Sequence, residues 1–387
     1  MQALSECDAC NKKPGNSLCS CGERAYCSET CQNADWKEHK TKCGKPDQIS
    51  LERFYPFLAW MFYVPYVVPR TKPMHPAMIY KISNDANPNV PAMKLPDGSW
   101  AQLVVIDDTT APRNILDFNL MKWFPLAQSS RIAMKLERRI QASGYLLPIL
   151  TAVATSILAE MYTTTSTPAG EATSSGRSIR LTYNSMPISD FGIAAGSVDI
   201  HDQDCLAFCK TSDSTISKSQ DPDDHYWIYF TTVSGEEVIL DFGLFPFNEC
   251  QVVNTDAYLF PGMSTSQAKL GWCPAYIIGP DDAQDKMPVS RTERKRLSML
   301  RNPDLHKAVK LFDDIHHRRY NAAKTEDIDP VYDFMETLSG RSMSEVEKAV
   351  CKEMLPHYFY SMHYVLCPRN QEWKRFPQEP ELGFDTA

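Results

Sequence analysis

The sequence contains no uninterrupted apolar run of about 18 residues, so the usual signature of a membrane-spanning helix is absent. Its two least charged stretches both fall short of one. Phe54–Pro69 is aromatic but short and carries three prolines, while Tyr145–Met161 holds Pro148, threonines, a serine and Glu160. Buried helices are the expectation for both, and no membrane partner is expected. The opening residues MQALSECDAC show no basic stretch followed by an apolar one, so no signal peptide is expected. Charge of one sign does not dominate: 40 Lys and Arg stand against 48 Asp and Glu, for a net charge of −8. That balance argues against non-specific nucleic-acid binding by the whole chain. No internal repeat is present, which argues against a solenoid or propeller. What remains is a chain of 387 residues, 43% hydrophobic and 11% aromatic. It is too apolar to be mostly disordered and long enough for a full core and two or three domains.

Cysteine is distributed very unevenly. Seven of the 13 cysteines fall in the first 43 residues, and six are spread over the rest. A secreted disulfide scaffold would not be so lopsided, so a reducing, intracellular setting is expected, nucleus or cytoplasm. The cluster comprises Cys7, Cys10, Cys19, Cys21, Cys27, Cys31 and Cys43, with His39 among them. Eight such ligands fill two closed tetrahedral zinc sites and leave no open position for water, so the sites are structural rather than catalytic. Cys7-Asp-Ala-Cys10 reads as a tight knuckle. Cys27 and Cys31 suit adjacent turns of one helix, and His39 and Cys43 repeat that spacing on a second. Asp35 would cap the second helix in a capping box with Glu38, and Gly44 and Pro46 would end it.

The run Tyr26-Cys27-Ser28, Cys31-Gln32, Asp35-Trp36, His39-Lys40 and Cys43, with the preceding cysteines, resembles the MYND zinc finger. The resemblance covers residues 7–43, about a tenth of the chain. One departure is Cys19-Ser20-Cys21, a pair one residue closer than is usual in the family. The resemblance implies interleaved ligands, with Cys7, Cys10, Cys27 and Cys31 on one zinc and Cys19, Cys21, His39 and Cys43 on the other. It also implies binding of short proline-containing peptides from partner proteins, often transcriptional regulators. The matching positions are Ser28, Gln32 and Trp36: an indole to stack on a proline or leucine, and an amide to bond an extended backbone. The bland alternative is that Trp36 only packs the small core between the metal sites. Met1–Ser50 carries seven basic and seven acidic residues, so the finger has no charge excess for a phosphate backbone.

The remainder reads as an α+β body of unassigned fold. A cross-braced finger (7–43) is followed by a mixed α/β part (51–162), a Ser/Thr/Gly-rich loop or linker (163–178) and a C-terminal α+β part (179–375). Leu51–Pro69 reads as helical or irregular, broken by its prolines. Trp100–Asp107, Ile179–Tyr183, Trp227–Thr232 and Glu237–Phe242 read as strands, the last two as a hairpin (226–242) turning at Ser234-Gly235. Helices are expected around Ile132–Gln141, over Leu146–Met161, and in the region 293–355 at Glu293–Met299, Asp304–Tyr320, Pro330–Leu338 and Ser344–Leu355. Phe376–Ala387 is expected to fray.

Four features of the body bear on chemistry or binding. His225 opening one hairpin strand and Asp241 closing the next could meet side by side. With Cys205 or Cys209 they would form a thiol nucleophile, base and orienting group. That arrangement resembles the His–Asp half of transglutaminase-like and papain-like folds and implies a thiol-dependent hydrolase or transferase. Cys205-Leu-Ala-Phe-Cys209 also reads as one buried helical turn, and Asp241 as a holder of the turn at Gly243. Gly235–Gly243 has the character of the end of a SET lysine methyltransferase domain, but the Asn-His-Ser-Cys motif and a downstream cysteine cluster are absent. Asp202, Asp204, Asp221, Asp223 and Asp224, near His201 and His225, lack calcium-loop spacing and read as a solvated acidic loop. The stretch with Arg294-Lys295-Arg296 and His316-His317-Arg318-Arg319 has 11 basic against five acidic residues between Asp285 and Lys324, a nuclear-import signal, an RNA- or lipid-facing patch or, more simply, solvated helix faces. The reading favours a scaffold that binds partners through its zinc finger over an enzyme.

Overall fold

A computed structural model describes residues 4–12, 14–15, 17–19, 24–40, 43, 47–67, 72–112, 119–163, 179–259, 270–279, 289–316, 327–367 and 371–385. The expected linker 163–178, beyond Thr163, and the expected helix stops Gly44 and Pro46 lie outside the described residues, as does Cys21.

The body is organised around a seven-stranded sheet. Its order is Tyr276–Ile278, Glu237–Asp241, His225–Thr232, Met186–Val198, Arg180–Tyr183 and Gln48–Ser50, and Arg291–Ser298 also pairs with Met186–Val198. All of these pairings are antiparallel except Gln48–Ser50 on Arg180–Thr182, which is parallel. The strand His225–Thr232 is covered on both faces, which explains its unbroken apolar run. Tyr226, Ile228 and Phe230 enter the main core, while Trp227 and Tyr229 pack with Ala194 on the other face. The hairpin turns where expected, with Gly235 at φ +87°.

The main core gathers residues from Ile49 to Phe376, so distant parts of the chain share one apolar interior. Leu146–Ile157 lies buried along its whole length between the sheet and the long helix Glu345–Leu366, and a π-helical turn continues it over Leu158–Thr163. Leu51–Val67 is one continuous helix despite Pro56 and Pro65, where a broken segment was expected. Each proline removes a hydrogen bond at a cost of about 3 kcal/mol. Fully burying Phe54, Phe57, Leu58, Trp60, Met61 and Phe62 returns roughly 1.5–3 kcal/mol apiece, so burial wins.

A second sheet holds Ile216–Lys218, Leu206–Lys210, Trp100–Asp107 and Lys81–Ile82 in that order, with Met93–Lys94 also on Trp100–Asp107. Its core packs against the helix Ser130–Gln141 through Val104, Ile106, Leu136 and Ile140. Trp100–Asp107 has the predicted bounds. Leu206–Lys210, by contrast, is a strand paired in parallel with Gln102–Ile106, so the helical reading of Cys205–Cys209 is incorrect.

Two further corrections concern the C-terminal half. Glu293–Met299, expected as a helix, is the strand Arg291–Ser298. Its register against Met186–Val198 shifts between Ala195 and Gly196, leaving Arg294 as the extra residue of a bulge. The bulge lets Glu293 and Arg296 meet in an ion pair, a contact three residues apart that mimics helical spacing. This strand approaches so closely that a Cβ on Gly192 would stand 2.0 Å from the Leu297 carbonyl oxygen. Two of the basic residues of this strand have partners on neighbouring elements: Arg296 pairs Glu237 and caps the Tyr229 ring, and Lys295 bonds the Thr337 carbonyl of the helix Asp329–Ser339. The expected fraying of Phe376–Ala387 is likewise overturned for residues 376–385. Phe376 packs on Phe54, Phe57 and Tyr258, Leu382–Phe384 pairs with Gln251–Val253, and Asp385 forms an ion pair with Arg138. No single helix among the described residues is long and apolar enough to cross a membrane.

Candidate metal centre

The amino-terminal region is built from two-residue and three-residue strands and one helix, Glu29–His39. Cys7 follows the strand Leu4–Glu6. The chain then turns tightly, with Cys10 N and Asn11 N both donating to the Cys7 carbonyl, at 3.2 and 2.8 Å, and Asn11 at φ +52°. Asp8 inside this knuckle ties it to the strand Ala25–Tyr26: its carboxylate accepts from Ala25 N at 2.6 Å and from Arg24 at 3.2 Å. That strand delivers Cys27 opposite the knuckle.

One helix serves both metal groups. Ser28 caps it by accepting from Cys31 N at 3.3 Å, which sets Cys31 in the first turn. Two turns later the same helix presents His39, 2% exposed, with Nε2 3.3 Å from the Cys19 sulfur. Cys43 N bonds to the His39 carbonyl at 2.7 Å, carrying its sulfur to 3.5 Å from that of Cys19. The two-helix reading is therefore corrected. Asp35 sits inside the helix, where it accepts from the buried Tyr26 hydroxyl at 2.6 Å rather than capping a new one. Burial first, and then that carboxylate, push the Tyr26 hydroxyl well above its usual range, so it stays a donor.

The donor atoms form two groups, Cys7, Cys10, Cys27 and Cys31, and Cys19, His39 and Cys43, each with all its ligand atoms within 4.8 Å of one another. In the first group the Cys10–Cys27 and Cys27–Cys31 sulfurs are 3.7 and 3.5 Å apart. A tetrahedron with Zn–S bonds of about 2.3 Å has edges of about 3.8 Å, so these spacings fit zinc. A four-sulfur set and a sulfur–imidazole set are also the donor chemistry zinc prefers over calcium or magnesium. Burial disfavours the Cys7 thiolate, but the backbone N–H groups of Cys27, Ala9 and Cys10 outweigh it and bring Cys7 down to about 6. The hydrogen bond to Cys31, and then burial, push Cys27 up to about 12.

The two groups interleave along the chain, as the resemblance implied, because Cys19 lies between Cys10 and Cys27. The positions Ser28, Gln32 and Trp36 recur every four residues, which places them on one side of the helix. Trp36 is 43% exposed and meets His39 edge-on, ring centroids 6.0 Å apart.

In the body, His225 and Asp241 do meet: Nε2 to Oδ2 is 2.9 Å, and both are fully buried. The sequence reading missed the third member. Arg291, from the close-packed strand, donates to the same Asp241 oxygen at 2.9 Å. Burial would raise the Asp241 carboxyl, but His225, Arg291 and the Gly243 N–H hold it well below the usual carboxylate range. Cys205 and Cys209 lie on the other sheet, at and within Leu206–Lys210, and burial pushes the Cys205 thiol up to about 11. The structure thus assembles the histidine–aspartate pair, with Arg291, as a buried hydrogen-bonded cluster and sets the two cysteines in a different sheet.

Comparison with known families agrees with the metal geometry. A family model, the MYND finger, matches residues 7–43. No curated protein matches the chain, and no solved structure does. Residues 7–43 are a zinc-binding MYND finger, a domain type that generally mediates protein–protein interaction, and it precedes a mixed α/β body.

Proposed function

We propose that the finger recruits a partner protein by holding a short proline-containing peptide along Ser28, Gln32 and Trp36. The observation that carries this reading is the exposure of Trp36. An indole needed only for packing would be buried, whereas this one keeps 43% of its surface in solvent. Its helix is held by a metal ligand near each end, Cys31 and His39, so the platform is rigid before the peptide arrives. Zinc, when bound, supplies cross-links between segments that have almost no apolar core, and it performs no reaction here. Cys7, Cys10, Cys27 and Cys31 would hold one ion, and Cys19, His39, Cys43 and Cys21 the other. Gln32 offers an amide to the peptide backbone, and the Ser28 hydroxyl, its oxygen accepting from Cys31, keeps a hydrogen to donate. In this reading the body is the scaffold that carries the finger, the partner is drawn from transcriptional regulators, and the site of action is the nucleus or cytoplasm.

The test is a quantitative affinity purification of wild type against Trp36→Ala, with zinc measured in both. Loss of a defined partner set at equal zinc content supports recruitment through the indole. Retention of every partner would show that Trp36 is not the contact.

A further inference from the structure

The helix Ser130–Gln141 carries Lys135 and Arg139 four residues apart, so both side chains leave the same face. That face borders a cavity of about 300 Å³, where Pro88, Ile132 and Leu136 supply apolar wall and Lys135, Arg139 and Asp204 supply charge. Arg139 is only 6% exposed. Its Nε donates to the Pro246 carbonyl at 3.0 Å and its Nη2 to the Asp204 carbonyl at 2.6 Å. Both acceptors are neutral, and Nη1 has no hydrogen bond among the described residues. Burial pushes the guanidinium down to about 10, which leaves it charged at neutral pH.

A buried cation costs free energy unless an anion or a full set of acceptors meets it. The nearby carboxylate does not make that contact: Asp204 Oδ1 instead accepts from Asn248 Nδ2 at 2.8 Å. Lys135, half-buried on the same wall, has no ion pair among the described residues. Two cations against one carboxylate leave the cavity with a formal charge of +1. That favours a monoanion over a phosphate dianion, which Asp204 would repel. The apolar wall asks for a carbon body behind the charge.

We propose that this cavity binds a small monoanionic carboxylate with a short apolar or aromatic body, its oxygens taken by Arg139 Nη1 and Lys135 Nζ. The carboxylate completes the ring of acceptors around Arg139, and the body lies against Ile132 and Leu136. The site belongs to the α/β body and stands independently of the finger's recruiting role.

Saturation-transfer NMR and calorimetry on the full-length protein test it, with phenylacetate as the probe and phenylacetamide and inorganic phosphate as controls. Arg139 also supports the backbone at Pro246 and Asp204, so the deciding variants are at half-buried Lys135. Phenylacetate is expected to bind about tenfold more tightly than either control, the effect of one charge-assisted hydrogen bond. Lys135→Ala should weaken it by about tenfold by the same reasoning. Lys135→Glu should abolish binding, with melting temperature unchanged in both variants. Failure of phenylacetate to bind the wild type, equal binding of the amide, preference for phosphate, or indifference to both Lys135 variants would overturn the proposal.

Discussion

The finger and the body reach order by opposite means. In the finger the buried apolar residues among those described are Cys7, Cys19, Ala25 and Tyr26, and two of those four belong to the metal-ligand groups. In the body the main core gathers residues from Ile49 to Phe376, a second core lies under the smaller sheet, and neither needs an ion to explain its packing. The difference teaches that ligand count can substitute for apolar area when a segment is too small to bury much of its own surface. It also means that the two regions should fail under different stresses.

The largest separation should come from removing metal. Zinc is worth on the order of 10 kcal/mol to a small finger, so a strong chelator, or Cys31→Ser, should unfold the finger outright. Amide exchange should show loss of protection at residues 25–39 while the sheet around His225–Thr232 stays protected. Equal loss in both regions would mean that the body leans on the finger.

Next in size is the internal cluster of the body. Asp241→Asn removes the buried carboxylate that Arg291 and His225 share, and breaking such a pair costs about 3–5 kcal/mol. Urea unfolding should show that loss in the body transition alone. The acid limb should show the same cluster. The folded-state Asp241 carboxyl lies below its ordinary value. Its stabilisation is therefore complete above the unfolded carboxylate range near pH 4, and it drains away as pH falls further toward the folded value. In Asp241→Asn that contribution to the acid limb should vanish.

Smaller still is Tyr26→Phe, which removes the hydroxyl donated to Asp35 and should cost the finger about 1 kcal/mol. A metal-competition titration would read this as weaker zinc retention without a change in the body. The smallest effect on stability is expected from Trp36→Ala, within about 0.5 kcal/mol because the residue lies at the surface with 43% of its area in solvent. A larger drop in melting temperature would return Trp36 to the role of a packing residue.

The same contrast governs what could be read from the sequence. The finger's ligands lie close along the chain, so Cys7 through Cys43 announce their site by spacing alone. Only the helix was misplaced, because Asp35 has the composition of a cap while its carboxylate is occupied by Tyr26. In the body, Trp100–Asp107 and the hairpin from His225 to Asp241 were legible because alternation and a local turn specify them. Met186–Val198, the strand to which three others pair directly, raised no signal. Its glycines, alanines, proline and serines have weak strand preference, and they are there because Arg291–Ser298 comes so near. Arg291 could not be joined to Asp241 from sequence, since the partners are 50 residues apart and the strand looked helical. Leu206–Lys210 was lost for the same reason: the segment it pairs with, Trp100–Asp107, lies more than 90 residues before it.

The strand Gln48–Ser50 begins five residues after Cys43, runs alongside Arg180–Thr182, and leads directly into the helix Leu51–Val67. Five residues can span no more than about 17 Å, so the finger works on a short leash anchored in the central sheet. Under the recruitment proposed above, a peptide held at Trp36 would be kept within reach of the body, and any second contact between that partner and the body would become an intramolecular event. Short tethers of this kind give effective concentrations in the millimolar range, enough to turn two weak contacts into one durable attachment. Lengthening the link with a flexible insert should therefore weaken a two-point partner while leaving a free peptide's affinity for the finger untouched.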